Sequence, residues 1–350
     1  MLLVILVTCV ALSVLINWIL IKYSLNLGVR NLSPKEEIRW QKRKPSIGGL
    51  SFYIVFLILY AILSNLVFMK FLGNIEFNYS KELSLVAVAT LGFLIGLIDD
   101  AKNTNPILKL LGQIICGLVL VSFGMVIHLS PNFIWNAIMT VLWTVFLMNS
   151  INMLDNIDGL TASVSIIILF SCLLYLGLKL TTLSSLMIVS IIGSLIGFLF
   201  YNWNPSRIYM GDSGSQFLGV ILAHLSILVL WTNRNIDGGY FQINQFFLPL
   251  LSFTIPIFDT STVTLHRLLR KQSPFVGGKD HLSHHLVFLG LKDWQAVITL
   301  ALINLIFVII GIYFNNPQFY LAFLLLWIST FLLLQYFYIK AKKYVPKDSE

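Results

Sequence analysis

Five carboxylates mark the places where this chain could do chemistry. Asp99 and Asp100 are adjacent, Asp155 and Asp158 are three residues apart, and Asp212 lies between glycines, each at the end of an apolar stretch. Neighbouring carboxylates repel, and each favours its protonated form unless a cation or basic group is near. A helix would put Asp155 and Asp158 on one face. Acids brought together from three apolar stretches form a concentrated anionic site. A hard divalent cation, Mg²⁺ first and Mn²⁺ as its substitute, relieves the repulsion. Mg²⁺ usually takes one or two carboxylates together with phosphate oxygens and water, which points to a phosphate-bearing substrate. The bland alternatives stay open: Asp99–Asp100 as a solvated helix end, and Asp212 or Ser213 as a helix cap.

Two further segments carry chemistry-bearing residues. In the run YMGDSGS (209–215), Gly211 and Gly214 allow close backbone approach just before an apolar helix whose N-terminus favours anions. The run VGGKDHLSHHL (276–286) holds His281, His284 and His285, with Arg267, Arg270, Lys271 and Lys279 close by in sequence. Without a nearby thiolate, contact with a polyanionic or sugar-bearing ligand is a better reading of these histidines than a transition-metal site. A solvated basic loop is the plain alternative.

The elements that must position these groups are membrane spans. The 350 residues are 57% hydrophobic and 11% charged, with a mean hydropathy of +0.86. A soluble domain carries about a quarter charged residues. A span needs about 20 mostly apolar residues, and eleven stretches qualify: 1–21, 48–68, 83–98, 107–127, 133–150, 161–178, 184–203, 214–232, 245–263, 294–314 and 318–339. No basic residue precedes the first, so an uncleaved helix with an external N-terminus is expected rather than a secretory signal. In that topology 19 of the 23 Lys and Arg fall on the cytoplasmic side, and only Lys70, Lys81, Lys179 and Arg234 fall outside. This is the expected basic excess. It explains the net charge of +8 without a nucleic-acid partner. The five aspartates then gather at the cytoplasmic ends of the spans. Cys9, Cys116 and Cys172 are far apart in apolar runs and are expected to form neither a disulfide nor a metal site. The expected fold is all-α: one integral membrane domain over 1–350, a polytopic bundle of about eleven helices with a cytoplasmic C-terminus.

The motifs, in order, resemble those of the polyprenyl-phosphate N-acetylhexosamine-1-phosphate transferases. KPSIGG (44–49) looks like the family's Pro-x-x-Gly-Gly entry to the second helix. GLIDDAKNTNPILKLLGQ (96–113) resembles its aspartate pair with the downstream Lys109 and Gln113. NSINMLDNIDGL (149–160) and YNWNPSRIYMGDSGS (201–215) resemble its third and fourth segments, and together the matches cover nearly the whole chain. Asn156 departs from the pattern by standing where the family usually has Gly; the exchange is expected to be tolerated if the backbone there is left-handed, a conformation Asn can adopt. Asp280-His281-Leu282-Ser283-His284-His285 resembles the N-acetylglucosamine-1-phosphate branch more than the phospho-N-acetylmuramoyl-pentapeptide branch with its three consecutive histidines.

The resemblance implies a helical bundle with a cytoplasmic cleft, commonly dimeric, in the bacterial inner membrane. It implies Mg²⁺-dependent transfer of a sugar 1-phosphate from a UDP-N-acetylhexosamine to a polyprenyl phosphate, such as undecaprenyl phosphate. The products are a polyprenyl-diphospho-sugar and UMP, at the first membrane step of a cell-envelope polymer such as peptidoglycan, O-antigen, lipopolysaccharide or teichoic acid. GlcNAc-1-phosphate is the expected group, with a 6-deoxy-HexNAc or the muramoyl-pentapeptide donor as alternatives. Asp99, Asp100, Asp155 and Asp158 are expected to be catalytic, with Asp99 taking a proton from the lipid phosphate or placing it. Asp212 and Asp155 are expected to hold the metal, and Asn152, Asp155, Asn202 and Tyr209 to lie at the uridine. Lys44, Lys109, His281, His284 and His285 are expected to contact phosphate or sugar. A secondary transporter is a distant alternative; it would carry its polar groups near mid-membrane on repeated, broken helices.

Overall fold

The computed structural model describes residues 2–23, 44–71, 75, 78–177, 182–231, 243–273, 278–313 and 316–344. Most of the basic segment after the first span, and Lys179, Arg234 and Asp237, lie outside the described residues.

Short polar residues start the helices. Asn78, Asn105 and Asn132 each accept a backbone N–H of the following first turn, Pro106 fills a position with no amide to satisfy, and Thr182 closes a capping box with Ser185. Thirteen α-helices result among the described residues: α1 Leu2–Tyr23, α2 Gly48–Phe68, α3 Tyr79–Lys102, α4 Pro106–Ser122, α5 Phe133–Leu154, α6 Leu160–Tyr175, α7 Leu183–Asn202, α8 Gly211–Val229, α9 Ile243–Ser252, α10 Thr254–Leu269, α11 Leu282–Phe288, α12 Asp293–Tyr313 and α13 Tyr320–Ala341. The chain is an all-helical, multi-pass membrane protein.

All eleven predicted stretches are helical. Eight helices are long and apolar enough to cross a membrane, or up to nine if one bent pair counts as a span, while α4 and α6 are apolar but shorter. The expected fourth stretch, 107–127, ends early at Ser122. The expected ninth, 245–263, is two helices meeting at 76°. Prolines account for the break. Pro256 has no N–H for the Ser252 carbonyl, and Asn304 of α12 supplies what is missing. Its amide donates to Ser252 O at 3.1 Å and its oxygen accepts from Ile255 N at 3.0 Å. Irregular backbone at membrane depth is tolerated where such partners satisfy it.

The buried α8 is the axis of the bundle, packed on α2, α3, α5 and α6, while α7 packs on α1, α2 and α6. Polar links bind the outer helices: Ser13 of α1 donates to Ser194 O of α7 at 2.6 Å, and Asn17 donates to Ser51 of α2 at 2.9 Å. The ends of α3, α5 and α7 meet the beginnings of α2, α6 and α8 at one end of the bundle. Segment 45–49 lies along residues 209–210 there through three backbone hydrogen bonds, Tyr209 N to Pro45 O, Gly48 N to Tyr209 O and Gly49 N to Met210 O, at 2.8–2.9 Å. This is the acidic end.

Candidate active site

The acidic end encloses a cavity of about 420 Å³ lined by Ser46, Asp100, Asn152, Asp155, Asn156, Ile157, Asp158, Asn202, Tyr209, Gly211 and Asp212. Its walls come from four sequence segments far apart in the chain. Gly211 turns at φ +77° to start α8, a conformation that glycine adopts without a steric penalty. Gly96 of α3 faces the Asp212 carbonyl so closely that any Cβ there would collide with it.

Each acid has its own role in the geometry. Asp100 reaches across from α3 and accepts the backbone N–H groups of Asp212 and Ser213, both at 2.8 Å. It therefore caps α8 from a neighbouring helix, where an anion is favoured. Asp212 projects from that capped turn. Its side chain is 34% exposed, against 9% for Asp99, so Asp212 offers an open carboxylate oxygen to the cavity. Asn152 donates to Asp212 Oδ1 and, at 2.8 Å, to Ser215 Oγ.

Asp155 follows the end of α5. Burial first, then the facing charges of Asp212, Asp100 and Asp158, push its carboxyl up to about 7. Asp158 accepts from Ser206 N at 3.0 Å. Lys44 stands 3.9 Å from Asp158, donates to Ser206 Oγ at 3.1 Å and lies 5.1 Å from the centre of the Tyr209 ring.

Among the described residues no three His, Cys, Asp or Glu side chains converge as a preformed metal cage. An open all-oxygen pair, Asp212 and Asp155, facing a polar cavity fits a hard cation shared with a ligand's phosphates.

Several expected residues are engaged by other groups of the protein. Asp99 is not on the cavity wall: it accepts from Thr104 N and Oγ and, at 2.7 Å, from Lys109 Nζ. Lys109 lies between Asp99 and Asp212, 3.4 Å from the latter, and donates to Asn152 at 3.2 Å; it is the counter-ion that lets these carboxylates coexist. Asn202 spends its amide on backbone, accepting from Gly159 N at 3.0 Å and donating to Ile208 O at 2.9 Å. It fixes the turn bearing Asp155 and Asp158 against the segment leading to α8. Asn156 is not in left-handed backbone, which among the described non-glycine residues occurs at Lys70, Asn103 and Lys271. Its side chain is tied instead to Met153 O, at 2.9 Å, and to Ser283.

The histidines separate. His281 is buried, with Nδ1 2.8 Å from Asp259 Oδ2, while Asp259 Oδ1 accepts from Leu282 N at 2.8 Å. A carboxylate only accepts, so His281 donates to it through Nδ1. His284 is half-buried, and burial, then neighbouring His281, lower it to about 4. His285 faces α13: its ring stacks on Tyr338 with centroids 3.7 Å apart, and Nδ1 donates to Tyr338 O at 3.1 Å. Burial lowers His285 to about 4 as well.

Asp259, inside the ninth apolar stretch, and Arg267, near the histidines, take structural roles that the sequence did not assign to them. Arg267 is 5% exposed and grips Asp280 through Nε at 2.7 Å and Nη2 at 2.6 Å. Burial would raise the Asp280 carboxyl, but the guanidinium holds it below the usual range. The available signal was a carboxylate inside an apolar stretch, which is rarely idle.

Residues 82–230 match the profile of glycosyl transferase family 4. The probable undecaprenyl-phosphate N-acetylglucosaminyl 1-phosphate transferase of Bacillus subtilis (strain 168) is 33% identical over 270 residues, covering 73% of each chain. The chain belongs to glycosyl transferase family 4. Other family members bracket it. The phospho-N-acetylmuramoyl-pentapeptide-transferase of Oceanobacillus iheyensis is 29% identical over 89% of this chain and 97% of its own. The decaprenyl-phosphate N-acetylglucosaminephosphotransferase of Mycolicibacterium smegmatis is 28% identical over 77% of this chain and 71% of its own. The family profile runs from α3 through α8, the stretch of chain that contains the five acids.

Proposed function

We propose that this family 4 transferase moves an N-acetylhexosamine 1-phosphate, GlcNAc-1-phosphate first, from its UDP donor to a polyprenyl phosphate, undecaprenyl phosphate first. An oxygen of the lipid phosphate attacks the phosphorus that carries the sugar. The bond from that phosphorus to the bridging oxygen breaks, and UMP leaves with the electron pair. The observation that carries this reading is the cavity in which Asp100, Asp155, Asp158 and Asp212 stand with Tyr209. It is a polar, anionic chamber at the end of an apolar bundle.

Asp212 and Asp155 would hold Mg²⁺, or Mn²⁺ in its place, and the bound cation supplies charge neutralisation and Lewis acidity at the diphosphate. The protein's own part is positioning. Asp100 fixes the turn that bears Asp212, and Lys109 and Asn152 orient that carboxylate. Tyr209 offers a face to the uracil, and His281 and His284 meet the diphosphate or sugar. The lipid phosphate is already ionised at neutral pH, so placement and charge screening outweigh proton removal. Asp99 then acts through Lys109.

The acceptor's tail has a fitting place in an apolar groove of about 340 Å³ beside the α9–α10 break, lined by residues such as Leu142, Trp143, Phe146, Phe246 and Leu250. It lies along α5, the helix whose other end carries Asn152 and leads into Asp155. The basic excess supports placing the acidic end in the cytoplasm, with the chain in the bacterial inner membrane and its N-terminus outside. A homodimer is part of the same reading. The test is transfer in detergent with Mg²⁺, undecaprenyl phosphate and a panel of UDP-HexNAc donors, followed by UMP release and label entering lipid. Transfer lost by at least about a hundredfold in Asp212→Ala, with folding intact, is expected. A folded wild-type protein that transfers from no donor overturns the reading.

A further inference from the structure

The turn carrying Asp155 and Asp158 is joined to the histidine segment by a side-chain hydrogen bond. Ser283 Oγ donates to Asn156 Oδ1, and the Asn156 amide donates onward to Met153 O at 2.9 Å. Ser283 is fully buried, so its hydroxyl depends on an acceptor within the protein. Asn156 itself lines the acidic cavity.

Both partners sit where this sequence departs from the pattern it resembles. Asn156 replaces the usual Gly, and Leu282-Ser283 separates His281 from the His284-His285 pair. Glycine could not make this bond. The rest of the segment is anchored on its far side. Asp259 of α10 holds His281 and Leu282, Arg267 holds Asp280, and α13 holds His285 through Tyr338. These anchors fix the segment to α10 and α13. The Ser283–Asn156 bond is what reaches from it to the cavity wall.

We infer that Asn156 and Ser283 form a clasp that holds the segment bearing His281 and His284 against the wall of the acidic cavity, and that this pair sets affinity for the nucleotide-sugar. The inference rests on the transferase reading above for its ligand, and on the hydrogen bond alone for its mechanical part. Asn156 and Ser283 are positioning residues here. Their effect belongs in donor binding, because the acceptor's tail and the Asp100-capped turn do not depend on them.

The experiment is a double-mutant cycle of Ser283→Ala and Asn156→Ala in the full chain, with Asn156→Gly as a second variant in case the alanine fails to fold. KM for the UDP-HexNAc donor and for undecaprenyl phosphate are measured separately. Deuterium exchange of the amides over 282–289 is followed in the same proteins without any substrate. One side-chain bond corresponds to about a fivefold effect. Each single variant is expected to raise donor KM about fivefold with acceptor KM little changed, and the double variant to resemble a single one rather than their product. Exchange over 282–289 should quicken equally in both single variants. Donor KM that does not move, effects that multiply, or exchange that stays at the wild-type rate overturns the clasp. If the wild-type protein transfers from no donor, the transferase reading fails, and the exchange rates still decide whether the clasp exists.

Discussion

Asp259 shows how one buried carboxylate governs chemistry it does not touch. It accepts from the His281 ring and from the Leu282 amide at once, so it fixes both the tautomer and the backbone at the start of the histidine segment. Replacing it by asparagine keeps the size but presents an amide where a lone pair is needed. Asp259→Asn should therefore lower kcat by about tenfold or more, as loss of an orienting carboxylate does in other enzymes, while the melting temperature stays close to wild type. Parallel turnover and thermal-unfolding measurements check this; full activity would show that the tautomer of His281 is irrelevant. Reading residues from sequence worked where charge was conspicuous. The four acids on the cavity wall were legible because carboxylates are rare in apolar sequence. The partners of Asp99 and His285, Lys109 and Tyr338, are known only once helices pack.

At the scale of the element, the α9–α10 break depends on a residue from another helix. Nothing near residue 253 announces that Asn304 will satisfy both sides of the gap. The sequence accordingly reads as a single continuous span over 245–263, although Pro249 and Pro256 lie inside it. Prolines alone do not decide the matter, since kinked continuous helices also carry them. Asn304→Leu removes two hydrogen bonds and strands a buried carbonyl and a buried amide. A loss of about 2–4 kcal/mol is expected, read as a lower detergent-solubilised unfolding temperature, with Thr299→Ala on the same helix as a mild comparison. An unchanged unfolding temperature would mean that the break is held by packing. Helix positions, by contrast, were readable almost throughout, because hydrocarbon thickness imposes a length on every apolar run.

Across the whole molecule, a polar chamber and an apolar groove lie along opposite stretches of α5. That arrangement suits an acceptor with a charged head and a long tail, and it makes chain length a variable. Leu250→Trp places a large ring in the groove. It should raise KM for the long undecaprenyl acceptor severalfold, as displaced apolar contacts do, and leave a short-chain prenyl phosphate nearly unaffected. Equal effects on both acceptors would move the tail elsewhere. The chamber itself is held by its own frame. Asp100 secures the first turn of α8 through two backbone hydrogen bonds, and Asn202 and Lys109 brace the neighbouring turns. All of these bonds are between groups of the chain itself, so the frame of the chamber does not need the donor to complete it. Little ordering entropy remains to be lost when the donor arrives, and the energy of donor contacts is available for the transition state instead of for assembling the site.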